Sequence, residues 1–308
     1  MLIATDSTVF HMENRFQAAP SIRFRGGRIC CVAEGGKFEV IVLDDRTVVI
    51  LAGDDMWQLD SRIDEPIESV LIVRENPLEV LLGTEGAHLY RLHDMRFDRV
   101  KGFDALDRSR WHTPWAGPPA VRSMAATPDS WVYSDIHVGS IMRSKDAGST
   151  WQPVRPDLDE DVHQVTVCPA APDHIYANTA KAVYISRDRG NSWQHCGEPL
   201  GYRYGRAIAV APREPGRILA TVSNGPHGSD VAGQLYLSED SGETWHHIRE
   251  GFPASVRKNI NTHWIAFTPD SVGWAAYETT LYIGLEGATR WRSFWESPEP
   301  IAMIVSRA

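Results

Sequence analysis

Four histidines lie where separate repeating units of the chain could bring them together. His163 and His263 each stand six residues before a proline that follows a short apolar run. His137 and His227 fall in turns that are expected to reach the same face. Neutral imidazoles from separate elements can hold a transition metal with open positions for substrate, or one of them can act as a general base. We therefore predict a catalytic or metal-binding histidine cluster, for Fe, Cu, Mn or Zn without distinction, and no organic cofactor.

Three arginines occupy the same position in other units and suggest a second kind of chemistry. Arg122 and Arg206 stand six residues before the corresponding prolines, and two fainter units place Arg28 and Glu68 there. A guanidinium fork binds a carboxylate through two parallel hydrogen bonds. Arg28, Arg122 and Arg206 could therefore clamp an anionic substrate. The alternative is that these residues are the polar strand starts of an ordinary wet surface.

Further polar and aromatic residues are expected on the same face. Turns of the weaker units supply Glu85 and Glu278, and the longest crossover between units supplies Trp115 as a pocket wall. Tyr204 could stand beside a histidine that acts as a general base. We predict that Glu85, Glu278 and Trp115 bind substrate and that Tyr204 is catalytic.

An eight-residue phrase that recurs along the chain indicates which elements position these side chains. The phrase reads "SKDAGSTW" from residue 144, "SRDRGNSW" from 186, "SEDSGETW" from 238 and, in degraded form, "GLEGATRW" from 284. The spacings of 42, 52 and 46 residues match the length of a four-stranded propeller blade. Short apolar runs separated by turn residues precede each phrase, so the phrase itself falls in the turn between the third and fourth strands.

Prolines that follow the first strand of each unit fix the alignment of the units. They are Pro128, Pro169, Pro212 and Pro269, with fainter matches before Pro77 and from Arg28. Residues 301–306 read as a seventh first strand, and residues 1–16 supply a second and a third strand without a first. Pairing these two segments closes a ring and removes its exposed sheet edges.

The predicted fold is therefore all-β, a seven-bladed β-propeller with four-stranded blades and a closing blade shared by the N- and C-terminal segments. Residues 1–308 would form this single domain. Six blades are the alternative, if residues 28–60 are an elaboration of a neighbouring blade.

The recurring phrase resembles the Asp-box, or BNR repeat, of sialidases, xyloglucan-degrading glycosidases, sortilin-type receptors and a photosystem II assembly factor. Matching aspartate, glycine and tryptophan positions recur in each copy: Asp146, Asp188 and Asp240; Gly148, Gly190 and Gly242; Trp151, Trp193 and Trp245. Longer blocks such as "DEDVHQV" are similar to a group of bacterial sialidase-like, BNR-repeat proteins. The resemblance spans residues 65–295 and implies that the boxes lie at the rim opposite the active face. A catalytic role for these aspartates is therefore not expected.

Composition narrows the range of partners. The 308 residues are 43% apolar, carry a formal net charge of -9 and contain no basic run, which argues against nucleic acid or an anionic membrane as partner. The start lacks a secretory pattern, and no apolar run approaches membrane-spanning length. The four cysteines have no zinc spacing and suit a reducing compartment. We expect a cytoplasmic protein.

Three functions remain open at this level. The first is an enzyme for a small polar or anionic substrate that uses the histidine cluster, with or without a metal. The second is a sialidase-like or glycosidase-like hydrolase with an arginine clamp, although the Arg-Ile-Pro signature of sialidases is missing. The third is a non-catalytic scaffold for a protein partner. An enzyme is favoured because the expected top face is rich in histidine, arginine and acids rather than apolar.

Overall fold

Each unit identified from the repeats folds as a four-stranded antiparallel sheet. In the computed structural model, which describes residues 1–13, 18–113 and 116–306, seven such sheets form a seven-bladed β-propeller. The predicted fold class is therefore confirmed.

The strands follow one another blade by blade. The chain opens with three strands of the closing blade: β1 (Leu2–Ala4), β2 (Thr8–His11) and β3 (Ser21–Arg25). The first and second blades contain β4 (Ile29–Gly35), β5 (Phe38–Leu43), β6 (Thr47–Ala52), β7 (Asp55–Asp60), β8 (Ile67–Glu75), β9 (Leu78–Thr84), β10 (Leu89–His93) and β11 (Arg96–Arg99). The third and fourth contain β12 (Met124–Ala126), β13 (Val132–Ile136), β14 (Ser140–Ser144), β15 (Gln152–Pro153), β16 (Val162–Cys168), β17 (Ala171–Thr179), β18 (Ala182–Ser186) and β19 (Gln194–His195). The fifth and sixth contain β20 (Tyr204–Ala211), β21 (Glu214–Ser223), β22 (Gln234–Ser238), β23 (His246–His247), β24 (Ile265–Phe267), β25 (Gly273–Tyr277), β26 (Thr280–Gly284) and β27 (Arg290–Glu296), and β28 (Met303–Val305) completes the closing blade.

In the described part of the chain, two short helices interrupt the strands. They are α1 (Lys101–Asp104), in the crossover between the second and third blades, and α2 (Leu285–Ala288), in the degraded fourth phrase. With four residues each, these described helices are far too short to span a membrane.

The second strand of a blade is apolar on both faces because it lies between the two neighbouring blades. In β5, the four consecutive residues Val40, Ile41, Val42 and Leu43 are all buried. A strand covered on both sides loses the alternation of a half-exposed one. The core is thus divided into clusters between adjacent blades, and the inner strands line a central channel.

The ring closes as predicted, through pairing of the last described strand with the first. Strand β28 runs antiparallel to β1, with Leu2 opposite Val305 and Ile3 opposite Ile304. Leu2 and Ile3 are fully buried, and Ile304 is 2% exposed. The N-terminal segment also adds β3 as an outer strand, so it supplies three strands of this blade rather than the predicted two.

The turns 144–151, 186–193 and 238–245, which we call the Asp turns, connect the third and fourth strands of three blades. In the first, the Asp146 carboxylate accepts hydrogen bonds from the Ser144 and Thr150 hydroxyls, each at 2.7 Å, and from the Thr150 amide at 2.8 Å. Gly148 adopts a φ of +85°, and its carbonyl accepts a hydrogen bond from the indole of Trp151. The side chains of Ser144, Asp146, Thr150 and Trp151 are thus all hydrogen-bonded within the turn.

The other Asp turns repeat the carboxylate bonds but not the indole bond. In the turn 186–193, the Asp188 carboxylate accepts hydrogen bonds from the Ser186 and Ser192 hydroxyls. In the turn 238–245, the Trp245 indole donates to the Cys196 carbonyl of the preceding blade and not to its own turn. In the degraded fourth turn, Trp291 donates to the Ala288 carbonyl at the end of α2. The turns therefore fasten the blades to themselves and to one another.

Candidate functional site

Two inner strands present polar side chains where they begin, on the face opposite the Asp turns. The pairing of β16 with β17 is interrupted between Val162 and Gln164, and that of β20 with β21 between Gly205 and Ile208. Such bulges turn a side chain out of the regular alternation. The interrupted positions include His163 and Arg206, so the strand starts direct these residues towards the site.

The groups that meet there are Arg122, His137, Asp161, His163, Tyr204 and Arg206, which we call the top-face site. The ring centres of His137 and His163 lie 6.2 Å apart, and those of His163 and Tyr204 lie 4.9 Å apart. The Arg206 guanidinium lies 5.0 Å from the centre of the Tyr204 ring, and the charge of Arg122 contributes to the pKa values of His137 and Asp161. The site spans the third, fourth and fifth blades.

His163 is held in one orientation by the backbone. Its side chain is fully buried, and its Nδ1 lies 2.6 Å from the Gly205 carbonyl oxygen. Since a carbonyl oxygen only accepts, Nδ1 carries a proton. Nε2 is therefore the atom that faces the site, 3.2 Å from Oδ1 of Asp161 and 3.4 Å from the Tyr204 hydroxyl.

His137 completes a group of three possible ligands with His163 and Asp161. Its Nε2 lies 3.6 Å from Oδ1 of Asp161, and one ligand atom from each of the three residues lies within 4.8 Å of the other two. Burial, together with the charge of Arg122, lowers the pKa of His137 to about 3, so its imidazole is neutral at pH 7. Burial alone would raise the pKa of Asp161, but His163, His137 and Arg122 outweigh it and hold this pKa below its usual range.

Asp161 was not among the residues predicted from the sequence. It stands two positions before His163, immediately before β16 begins at Val162. This Asp-x-His spacing at a strand start was the signal that could have identified it.

Two arginines give the site a positive side. Arg122 and Arg206 are half-buried, and within the described part of the chain neither forms an ion pair with a carboxylate. Nε of Arg206 is buried without a hydrogen bond, and the guanidinium lies 5.0 Å from the centre of the Tyr204 ring. Burial lowers the pKa of Arg122, although it remains a cation at neutral pH.

Asp135, beside Arg122, has a structural role. Its Oδ1 accepts hydrogen bonds from the Arg122 and Ser123 amides at 3.2 and 2.6 Å, just ahead of β12. The side chain is fully buried, which raises its pKa to about 7. At the same point of the fifth blade, the Thr221 hydroxyl accepts from the Ala207 amide. These residues cap the backbone at the starts of inner strands.

The other two predicted histidines lie outside the group. His263 is half-buried in the channel, where its Nδ1 lies 3.5 Å from Nε2 of Gln164. Burial lowers the pKa of His263 to about 4. His227 is exposed in the loop between β21 and β22. The structure thus brings together two of the four predicted histidines.

The remaining predicted residues are more dispersed. Arg28 is 52% exposed and forms a 2.5 Å ion pair with Asp45, which leaves two of the three predicted arginines in the site. Glu85 lies near Glu68, whose pKa is raised by burial and by the charge of Glu85. Glu278 is exposed in the β25–β26 turn. Trp115 lies outside the described residues.

An apolar cleft lies next to the top-face site along the chain. It has a volume of about 330 Å³ and is bounded by Trp111, Met142 and Leu158, among other residues. Arg110 and Glu160 form an ion pair at its rim, and Glu160 immediately precedes Asp161. Trp111, in the crossover between the second and third blades, bounds this cleft, which none of the six top-face site residues lines.

Comparison with known proteins gives a match to part of one family and a distant similarity in sequence to one enzyme. Residues 139–268 match the Sortilin-Vps10 family, described as sortilin, neurotensin receptor 3. The chain is 26% identical over 179 residues to an oligoxyloglucan-reducing end-specific xyloglucanase of Emericella nidulans, a match that covers 52% of this chain. The chain spans only 20% of that relative's length.

Solved structures show the same architecture at low identity. An ancestral GH74 enzyme has a TM-score of 0.63 at 14% identity, over 90% of this chain and 38% of its own. The GH74 xyloglucanase of Xanthomonas campestris has the same TM-score at 15% identity, over 87% and 45%. YCF48 bound to D1 peptide has a TM-score of 0.61 at 15% identity, over 89% and 83%. The chain is thus a seven-bladed β-propeller, similar in fold to the GH74 enzymes and to YCF48.

Proposed function

We propose that this protein is a hydrolase for a glycoside-like substrate that carries an anionic group, and that the reaction takes place at the top-face site. The observation that carries the proposal is the position of two half-buried arginines, Arg122 and Arg206, without carboxylate partners beside the group of His137, Asp161 and His163.

The arginines select the substrate. A half-buried cation without a counter-ion is costly, and an anion that supplies the missing hydrogen bonds recovers much of that cost. A bound carboxylate would pair with a guanidinium of this site through two parallel hydrogen bonds. Arg28 takes no part because Asp45 already neutralises it.

The acid–base groups supply the chemistry. Glycosidases act through carboxylates that differ in protonation state, and imidazoles serve widely as general acids and bases. Asp161 is an ionised carboxylate beside His163, with the Tyr204 hydroxyl within 3.4 Å of the same imidazole. The similarity to a xyloglucanase over 179 residues supports hydrolysis of a sugar as the reaction class.

A panel of matched nitrophenyl glycosides tests this function. The glucuronide and glucoside differ only in a carboxylate, and a fluorogenic sialoside adds a second anionic sugar. We expect kcat/KM to be about 10- to 100-fold higher for an anionic member than for its neutral counterpart, since a hydrogen bond to a charged group contributes about 1.5–3 kcal/mol.

Arg206→Gln should remove this preference. Arg203→Gln is the matched control, because Arg203 is 49% exposed and pairs with Glu198 just outside the site. Equal turnover of charged and neutral sugars by the wild-type protein, or the same loss in both variants, would refute the anion-selecting role.

A second candidate is a peptide-binding scaffold. YCF48, whose structure is described as bound to D1 peptide, is covered over 83% of its length, whereas the larger GH74 enzymes are covered over less than half. An acidic peptide would also satisfy Arg122 and Arg206. Fluorescence anisotropy with acidic peptides tests this function. Peptide binding that Arg206→Gln abolishes, in a protein that hydrolyses no member of the glycoside panel, would favour the scaffold.

A further inference from the structure

We propose that His137, Asp161 and His163 bind one divalent first-row transition-metal ion. This inference goes beyond the proposed hydrolysis and does not depend on it, because it rests on the geometry of three side chains. Two imidazoles and one carboxylate form a donor set that suits Zn²⁺, Fe²⁺, Co²⁺ or Mn²⁺.

The orientation of His163 suits a metal ligand. The Gly205 carbonyl accepts the Nδ1 proton at 2.6 Å and holds the ring with Nε2 towards the site. A backbone carbonyl or carboxylate plays this part behind most metal-binding histidines, where it fixes both the tautomer and the ring orientation. In neutral His163, a lone pair on Nε2 therefore faces Asp161.

The position of the Asp161 carboxylate also suits a metal ligand. Its Oδ1 is buried and makes no hydrogen bond, even though Nε2 of His163 is only 3.2 Å away. Without that hydrogen bond, a cation between the two atoms would give both of them a partner. A proton on Nε2 of His163 would also give Oδ1 a partner, because it would form an imidazolium–carboxylate pair.

Two of the three separations between the ligand atoms are close to those around a shared ion, and the third is within 4.8 Å. Bonds of about 2.0–2.2 Å in tetrahedral or octahedral geometry place neighbouring ligand atoms about 3.0–3.5 Å apart. Oδ1 of Asp161 lies 3.2 Å from Nε2 of His163 and 3.6 Å from Nε2 of His137. Three protein ligands leave coordination positions open for water or for a substrate oxygen.

The neighbouring arginines affect the strength of this site. Arg122 and Arg206 repel a cation, so metal affinity should rise when an anion occupies the space between them and the metal. Metal and anion binding are then reciprocally linked. A carboxylate probe such as glucuronate should therefore tighten metal binding.

Titration calorimetry with Zn²⁺ and with Co²⁺ on chelator-treated protein tests the proposal. We expect one equivalent per chain, a visible Co²⁺ absorption spectrum that differs from that of the aqueous ion, and tighter binding in the presence of glucuronate. Asp161→Asn should weaken binding at least about 10-fold, by analogy with the loss of metal-site groups. Asp161 is 24% exposed, so this near-isosteric change is compatible with the fold.

His227→Ala is the matched control, because it removes an exposed histidine outside the group. His137→Ala adds a second ligand deletion, and circular dichroism establishes that each variant is folded. Absence of stoichiometric binding in the wild-type protein, or unchanged affinity in folded Asp161→Asn, would overturn the proposal. Neither result bears on the panel of glycosides, so the two proposals can fail separately.

Discussion

Replacement of Asp146 by alanine should lower the free energy of unfolding and leave the top-face site intact. The carboxylate accepts hydrogen bonds from the Ser144 hydroxyl, the Ser149 amide, and both the amide and hydroxyl of Thr150. All of these bonds close the turn between β14 and β15. Alanine removes them together.

The magnitude follows from the exposure of the turn. Ser149 and Thr150 are exposed, so water can replace the lost acceptor, and the cost resembles that of a removed helix N-cap. We expect a loss of about 1–2 kcal/mol for Asp146→Ala. Asp146→Asn should cost less, because its amide oxygen still accepts.

Acid should remove the effect. Slight burial raises the pKa of Asp146, but the bonds from Thr150, Ser144 and Ser149 outweigh it and lower this pKa from 3.8 to about 2. A depressed carboxylate pKa stabilises the fold above the unfolded pKa, and this contribution disappears as the pH falls through the folded value. The difference between wild type and Asp146→Ala should therefore be constant above about pH 5 and shrink between pH 4 and pH 2.

Urea unfolding followed by tryptophan fluorescence measures this difference. Asp54→Ala is the control, because Asp54 is an exposed carboxylate in the β6–β7 turn. An unchanged free energy of unfolding in Asp146→Ala, or an equal deficit at pH 7 and pH 2, would refute the structural role assigned to the Asp turns.

Two further stability predictions follow from glycine geometry and from ring closure. Gly190→Ala should lower the free energy of unfolding by about 1–3 kcal/mol, because φ is +84° and the new Cβ would lie 2.7 Å from Cγ1 of Val154. Gly53→Ala is the control, because Gly53 has a φ of +61° but no atom within 4 Å of the new Cβ, so it measures the cost of the backbone conformation alone. An equal cost at both glycines would contradict the clash. Ile304→Ala should cost about 2–4 kcal/mol because it opens a cavity where β28 meets β1, whereas Ile22→Ala, at 53% exposure, should stay within about 0.5 kcal/mol. Similar denaturation midpoints for these two isoleucine variants would count against closure as a source of stability.

The blade count was predictable because a propeller repeats one unit, and each unit carries the same turn chemistry. The proline after each first strand fixed the alignment, and the lone strand 301–306 required a partner at the other end of the chain. In the structure that partner is β1, which places Ile3 opposite Ile304.

The site was only partly predictable because β-bulges decide where its side chains point. Pairing is interrupted at His163 and Arg206, and also at the starts of β4 and β8, near Cys30 and Glu68. A bulge redirects a side chain locally, so the sequence could place these residues at a ring position but not show which of them would meet. Arg28 reaches Asp45, while Arg206 faces the site without a carboxylate partner among the described residues.

The central claim is that chemistry takes place at the top-face site and not at the Asp turns. The most direct test compares kcat/KM for an anionic glycoside between Asp161→Asn and Asp188→Asn, two single carboxylate-to-amide changes. We predict that Asp161→Asn loses about 100-fold or more, as expected when a group that takes part in acid–base chemistry is removed. Asp188→Asn, whose carboxylate bonds only to its own turn, should remain within about 2-fold of wild type. Retained turnover in Asp161→Asn, or its loss in a folded Asp188→Asn, would contradict the account.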